Sequence, residues 1–399
     1  MPGFELFGET ERNEVNDVLK SGVLMRYGFD GMRNGHWKAK DLEVELQNQF
    51  EVKYAQLVSS GTAAVSMSLA IAGVGAGDEV IMPCFTFVAS FEAIMMLGAI
   101  PILVDIDDTL TLDIEEVKKA ITPKTKAIMP VHMCGSMANL QALKTICDDH
   151  NLVLVEDACQ AIGGTYQGKA LGSYGDVGSF SFDFVKTITC GEGGAIITNI
   201  DKYAQFADHY SDHGHDHVGN DRGAETHPFL GYNFRISELN AAVGLAQVRR
   251  LNDFIAIQKK HYTILRVALS QIPEVIFRTV PEGGEENYSF LNFFLPTLEI
   301  TQAVSKAFKE EGIDGCFHYY NNNWHYIKEW NHLKNLKTLY PVSEEMKKGL
   351  EYLKTKSFEK SDYFIGRNLS CLIKLSWTEA EVKERADKMV NVIKTVLNS

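Results

Sequence analysis

LVEDACQAIGGTYQGKALGSYGDVGSFSFDFVKTITCGEGG, residues 154–194, is the stretch from which the rest of this 399-residue chain can be read. It opens inside an aliphatic run, LVLVED (152–157), that ends on two carboxylates. The run is too short for a helix and almost unbroken in apolar character, which suits a strand buried on both faces. GSFSFD (178–183) is a second strand, leading to Lys186 and a glycine-rich bend, and GAIITN (194–199) is a third. Outward from there, EVIMP (79–83), IPILVDI (100–106) and TKAIMPV (125–131) are runs of the same kind. Helix-like stretches separate them. In LDIEEVKKAI (112–121), Ile114, Val117 and Ile121 recur at helical spacing, with acids early and lysines late as the helix dipole prefers. Strand–helix alternation of this kind predicts a doubly wound α/β domain with a mainly parallel sheet, whose ligands sit at the carboxyl ends of the strands.

After about residue 235 the pattern changes. ISELNAAVGLAQVRRLNDFIAIQKKHYTILRVAL reads as one long helix with Ser237 as its N-cap, and beyond it weaker strands mix with helices to TEAEVKERADKMVNVIKTVL. The expected division is a large domain over 1–250, including the N-terminal segment, and a smaller α+β domain over 251–399. The net charge of −13 and the absence of a clustered basic face argue against a nucleic-acid binder. No apolar run is long enough to span a bilayer, and the opening MPGFELFGETERNE has no basic-then-apolar leader pattern. Seven cysteines, at 84, 134, 147, 159, 190, 316 and 371, form no CxxC pair, as expected of reduced thiols in a cytoplasmic protein.

The chemistry concentrates in 154–194. A carboxylate at a strand's carboxyl end, facing a lysine in a glycine-bordered loop, is what pyridoxal-phosphate chemistry requires. The lysine amine joins the cofactor aldehyde, and the carboxylate keeps the pyridine nitrogen protonated. Taken singly, Asp157 could cap a helix and Lys186 could be a solvated lysine; their shared forty-residue context favours the cofactor. Upstream, VSSGTAAVSMSLA (58–70) is a strand end, a small-residue turn and a helix start, where Ser60, Gly61 and Thr62 offer backbone N–H groups to an anion. An ordinary capped helix would look the same. Ser181 could donate to the same phosphate. Phe87, in PCFTFVAS (83–90), could lie over a cofactor ring or be a core aromatic.

These pieces, together with GAGDEVIMPCFTFVAS and GYNFRISELNAAVGLAQ, resemble the DegT/DnrJ/EryC1/StrS sugar aminotransferases, fold-type-I pyridoxal-phosphate enzymes. The resemblance covers nearly the whole chain. It implies Lys186 as the Schiff-base lysine, Asp157 on the pyridine nitrogen and Gln160 near the ring hydroxyl. It implies phosphate binding by Gly61, Thr62 and Ser181, stacking by Phe87, and Asn233 reaching the phosphate of a neighbouring subunit in a homodimer with shared active sites. A related dehydratase branch has histidine in place of this lysine; Lys186 favours transamination. Phe184-Val185 before the lysine departs from the commoner Pro-Thr, and Phe87 stands where Trp is commoner.

RYGFDGMRNGHW (26–37), VHMCGSMA (131–138), SDHGHDHVGNDRGAETHP (211–228) and CFHYYNNNWHYIKEW (316–330) are similar to a narrower branch of the family. Its members aminate the 8-aldehyde form of 3-deoxy-D-manno-octulosonate, a lipopolysaccharide sugar, with L-glutamate as donor. That substrate carries a carboxylate, so Arg26 and Arg33, with His215 and His217, are candidate substrate ligands. Surface or salt-bridge roles remain open for both arginines. The HGHDH spacing (213–217) does not suit a zinc set, and no metal is expected. The rival substrate is a nucleotide-diphospho-4-keto-6-deoxy sugar. A non-catalytic cofactor-binding regulator and a carbon–carbon lyase are weaker rivals on the same scaffold.

Overall fold

The computed structural model describes residues 3–219 and 221–399. Strands β1 (Tyr54–Val58), β2 (Glu79–Pro83), β3 (Ile100–Val104), β4 (Thr125–Ile128) and β5 (Val153–Asp157) form in chain order. After the two-residue strands β6 (Thr165–Tyr166) and β7 (Lys169–Ala170) come β8 (Val177–Ser181) and β9 (Gly194–Thr198). Seven of these make one sheet in the order β1-β9-β8-β5-β4-β2-β3. Only β9 runs against the rest; the pairings of β2 with β3 and β4, of β4 with β5 and of β5 with β8 are parallel.

Alternate residues of these strands feed two cores. Val80, Met82, Val155 and Ile196 face one side, while Ile81, Leu154, Ile197 and Phe180 face the other. Burial on both faces explains why the runs are continuously apolar rather than alternating. β4 stops at Ile128, short of the expected 131, because Pro130 has no N–H to continue the ladder; its carbonyl instead accepts from the Asp157 amide (2.9 Å).

The C-terminal part carries a second sheet, β10 (Ile276–Phe277), β12 (Phe290–Phe294), β14 (Asn368–Leu372) and β13 (Cys316–Phe317) in that order, antiparallel throughout. β11 (Gly284–Glu285) pairs back onto β6 of the first part. Helices Leu251–Leu269, Leu298–Glu310 and Glu379–Leu397 bury Leu265, Val304, Phe308, Met389 and Ile393 against this sheet. The fold is therefore α/β with a mainly parallel sheet and a smaller α+β part. Among the described residues no helix is long and apolar enough to cross a membrane.

The expected single helix after residue 236 is two, Glu238–Val248 and Leu251–Leu269. Ser237 does cap the first, accepting from the Asn240 amide at 3.2 Å. At the break Arg250 leaves helical geometry (ψ 8°), and its guanidinium ties to the Leu6 carbonyl (3.1 Å) and to Glu11. The bend lets one helix pack beside the first sheet and the next beside the second.

Candidate active site

The carboxyl ends of the parallel strands open onto a cavity of about 830 Å³. Ser60, Gly61, Thr62, Phe87, Asp157, Gln160, Ser181 and Lys186 all line it. Eight residues spread over 127 positions of sequence meet there because β1, β5 and β8 run parallel in one sheet, with β9 between β1 and β8, and end at the same edge, where the chain turns.

Asp157 is the last residue of β5 and is 3% exposed. Its Oδ2 accepts from Ser90 Oγ (2.7 Å) and its Oδ1 from the Cys159 amide (3.2 Å). Two donors on a buried carboxylate hold its plane fixed and supply part of the solvation that burial removes. Gln160 Oε1 accepts from the Cys134 amide (3.0 Å), which orients the side-chain amide so that its NH₂ is the group left to donate.

Helix Gly61–Ile71 starts at the cavity, with Ser60 as N-cap accepting from the Ala63 amide (3.1 Å). A Cβ on Gly61 would stand 2.5 Å from Ser181 Cβ, so only glycine lets the helix start approach the end of β8 this closely. The free N–H groups of this first turn and the Ser181 hydroxyl form a cradle for an anion.

Lys186 is half-buried in the loop after β8, its backbone turned by a bond from its amide to the Asp183 carbonyl (3.0 Å). Among the described residues its ammonium makes neither a hydrogen bond nor an ion pair. The opposite wall comes from residues 317–325. Trp324 and His325 stand 5.7 and 5.5 Å from the Phe87 ring, and the amides of Thr86 and Val88 donate to the carbonyls of His325 and Trp324 (2.9 Å each). Burial, reinforced by the charge of Lys186, drives His325 down to about 4, so its imidazole is neutral at physiological pH. Its Nδ1 lies 3.1 Å from Asn322 Oδ1. Trp324, His325, Tyr319 and Ser90 were not singled out as site residues from sequence. The signals were present in CFHYYNNNWHYIKEW and at the end of PCFTFVAS, but nothing local says that either reaches the cavity.

The structure does not bring Arg26, Arg33, His215, His217 or Asn233 to this cavity. Arg26 is buried against Glu43, whose Oε1 also accepts from the Leu57 amide (2.8 Å). Arg33 is 1% exposed and donates to the Gly28 carbonyl (2.7 Å), with its guanidinium 3.8 Å from the Trp37 ring and 3.6 Å from Glu238. Of the roles left open by sequence, the salt bridge is the one both arginines take within the chain. His215 pairs with Glu225 (2.8 Å), and His217 with Asp208 (2.8 Å) and Asp212 (3.0 Å). Burial alone would lower His217, but the two carboxylates outweigh it and raise the imidazole to about 9. Asn233 is exposed and forms an isolated antiparallel bridge with Asp212, at the start of the histidine loop.

A lysine without a hydrogen-bond or ion-pair partner among the described residues, beside an anion cradle on an α/β sheet of this topology, is an arrangement suited to a pyridoxal-phosphate enzyme. Residues 6–357 match the DegT/DnrJ/EryC1/StrS aminotransferase family, and the chain belongs to it. It is 34% identical over 344 residues to the GDP-perosamine synthase of Vibrio cholerae, spanning 84% of this chain and 87% of that one. Against the 3-amino-5-hydroxybenzoate synthase of Amycolatopsis mediterranei the identity is 36% over 285 residues, 71% and 70% of the two chains. A sugar aminotransferase structure from Streptococcus pneumoniae in its PLP form superposes with a TM-score of 0.82, covering 98% and 97% of the chains at 24% identity, a likeness of fold. The chain is thus an aminotransferase of this family.

Proposed function

We propose that this chain uses pyridoxal phosphate to convert the 8-aldehyde form of 3-deoxy-D-manno-octulosonate to 8-amino-3,8-dideoxy-D-manno-octulosonate, with L-glutamate as donor, in lipopolysaccharide sugar synthesis. The observation that carries the cofactor reading is the convergence on one cavity of Lys186, unpaired among the described residues, doubly held Asp157 and the helix start at 60–62. The residues fit the cofactor: a cradle at Gly61 that a Cβ would fill, and a buried carboxylate held by two donors. When bound, the cofactor takes up the electrons of the bond broken at the donor carbon, so that nitrogen passes from donor to acceptor.

The chain's own residues do the rest. Gly61, Thr62 and Ser181 bind the phosphate through N–H and O–H donors. Asp157 would accept from the ring N–H, Gln160 would donate to the ring oxygen, and Phe87 would pack against the ring. Lys186 Nζ would anchor the cofactor, and its amine, when free, would be the group to hold or move a proton at the reacting substrate carbon. Neutral His325 and the wall at 317–325 line the same cavity as that amine.

The octulosonate reading draws support from two of the four segments similar to that branch. Phe317, Tyr319, Asn322, Asn323, Trp324 and His325 of the 316–330 segment line the cavity, and Cys134 of the 131–138 segment orients Gln160. Arg26 and Arg33 lend it none. The relationship to GDP-perosamine synthase favours a second reading, a nucleotide-diphospho-4-keto-6-deoxy sugar as acceptor. The exposed position of Asn233, outside its own chain's cavity, supports a homodimer in which it serves a neighbouring site.

The test is the visible absorbance of the holoenzyme, followed as glutamate and then each acceptor is added. Loss of the band with glutamate and its return with the octulosonate aldehyde supports the first reading. Return only with the nucleotide sugar supports the second, and protein that takes up no pyridoxal phosphate refutes both.

A further inference from the structure

From Ser90, which lines the cavity, a short line of buried hydroxyls runs back to Thr86. Ser90, 3% exposed, is the third residue of helix Val88–Met96, and its Oγ lies 2.7 Å from Asp157 Oδ2. Thr86, fully buried in the preceding turn, places its Oγ1 2.8 Å from Ser90 Oγ. Proton counting sets the direction of this line. An ionised carboxylate only accepts, and a serine hydroxyl has one proton, so Ser90 donates to Asp157; the single Thr86 proton then goes to Ser90 at 2.8 Å rather than to the Phe87 carbonyl, which lies farther off at 3.3 Å. The line is therefore polarised toward the carboxylate, and its last bond is charge-assisted. The turn that carries it also holds the facing wall, through the Thr86 and Val88 amides on the carbonyls of His325 and Trp324.

We propose that Ser90, supported by Thr86, is a positioning residue: it holds the Asp157 carboxylate in the plane required to accept the N–H of the cofactor ring. The inference rests on the reading of Asp157 as the residue that meets that ring. Without Ser90, Oδ2 has one fixed donor fewer, while Oδ1 keeps the Cys159 amide, so the carboxylate can pivot about the remaining bond. A hydroxyl at the same position restores the hold; a methyl group does not. Supporting groups of this kind change affinity or activity by about tenfold to a hundredfold when removed.

The experiment titrates pyridoxal phosphate into the full-length chain stripped of cofactor, comparing wild type with Asp157→Asn, Ser90→Ala, Ser90→Thr and Thr86→Val. Absorbance reports the dissociation constant, a thermal melt of the stripped protein reports folding, and a single-turnover reaction with glutamate reports the first half-reaction. Ser90→Ala is expected to bind about tenfold more weakly and to slow the half-reaction, with Ser90→Thr near wild type. Thr86→Val, which leaves Ser90 in place, is expected to show a smaller loss in the same direction and carries the test if Ser90→Ala does not fold. Wild-type affinity in Ser90→Ala overturns the proposal, as does equal weakening by Ser90→Thr, which would mean that the site responds to volume rather than to the hydrogen bond. If Asp157→Asn binds as wild type does, the underlying reading of Asp157 is what fails. Wild-type protein that shows no uptake overturns the cofactor reading and this proposal together.

Discussion

Gly61→Ala tests the anion cradle. The added Cβ would stand 2.5 Å from Ser181 Cβ and 2.7 Å from its Oγ, against about 3.5–4.0 Å for relaxed contact. The helix start and the end of β8 must therefore part by about 1 Å. Overpacking of this kind costs about 1–3 kcal/mol. Unfolding entropy grows with chain length, so each kcal/mol moves Tm by only about 1.2 °C in a protein of this size, and the melt is expected to fall by about 1–4 °C. The cradle suffers more, because a displacement of about 1 Å at a positioned group can cost about a hundredfold. A small loss of stability with a large loss of pyridoxal-phosphate affinity is the expected signature, read by thermal melt and absorbance titration. Adding Ser181→Gly removes the colliding Cβ and leaves Ser181 Cα as the nearest atom at 3.2 Å. The melt should recover, while affinity recovers only in part because a phosphate donor is gone. Gly61→Ala with wild-type affinity and wild-type Tm would refute the reasoning.

Lys186→Ala is expected to abolish turnover in a protein that still folds, since the side chain forms no hydrogen bond or ion pair with the described residues; residual turnover in pure variant would remove it from the mechanism. His217 has a folded value of about 9 against about 6.5 unfolded, so its pairing stabilises fully below about pH 6.5 and is lost as pH rises through about 9. His217→Gln should therefore cost about 2 kcal/mol near pH 7 and almost nothing at pH 10, measured as the difference between wild-type and variant denaturation midpoints. Arg26→Ala leaves Glu43 buried without its partner and should destabilise by about 3–5 kcal/mol, whereas replacing both residues with apolar ones of similar volume should recover most of that in chemical denaturation.

How much of this was legible in sequence follows from the range of each signal. Short, continuously apolar runs are a local consequence of burial on both faces, so all seven strands of the main sheet except β1 could be placed closely from periodicity, and β1 entered as the strand end before the SGT turn. Asp157, Gln160 and Lys186 sit at strand ends within thirty residues of one another, and Gly61 and Thr62 at a helix start, so strand–turn–helix order was enough to bring them to one rim. Tertiary structure alone decided what depends on distant partners. Ser90 finds its carboxylate 67 positions along the chain, and Trp324 and His325 reach Phe87 from the other end of the sequence. Arg26 and Arg33 had the right chemistry for a sugar acid, yet Glu43 and Glu238 claim them, because a charge taken out of water pairs with the nearest buried opposite charge. The break at 249–250 was equally hidden, since both helices have unbroken helical patterning and only the need to pack on two different sheets separates them. Sequence periodicity records which face of an element is buried; it does not record against what.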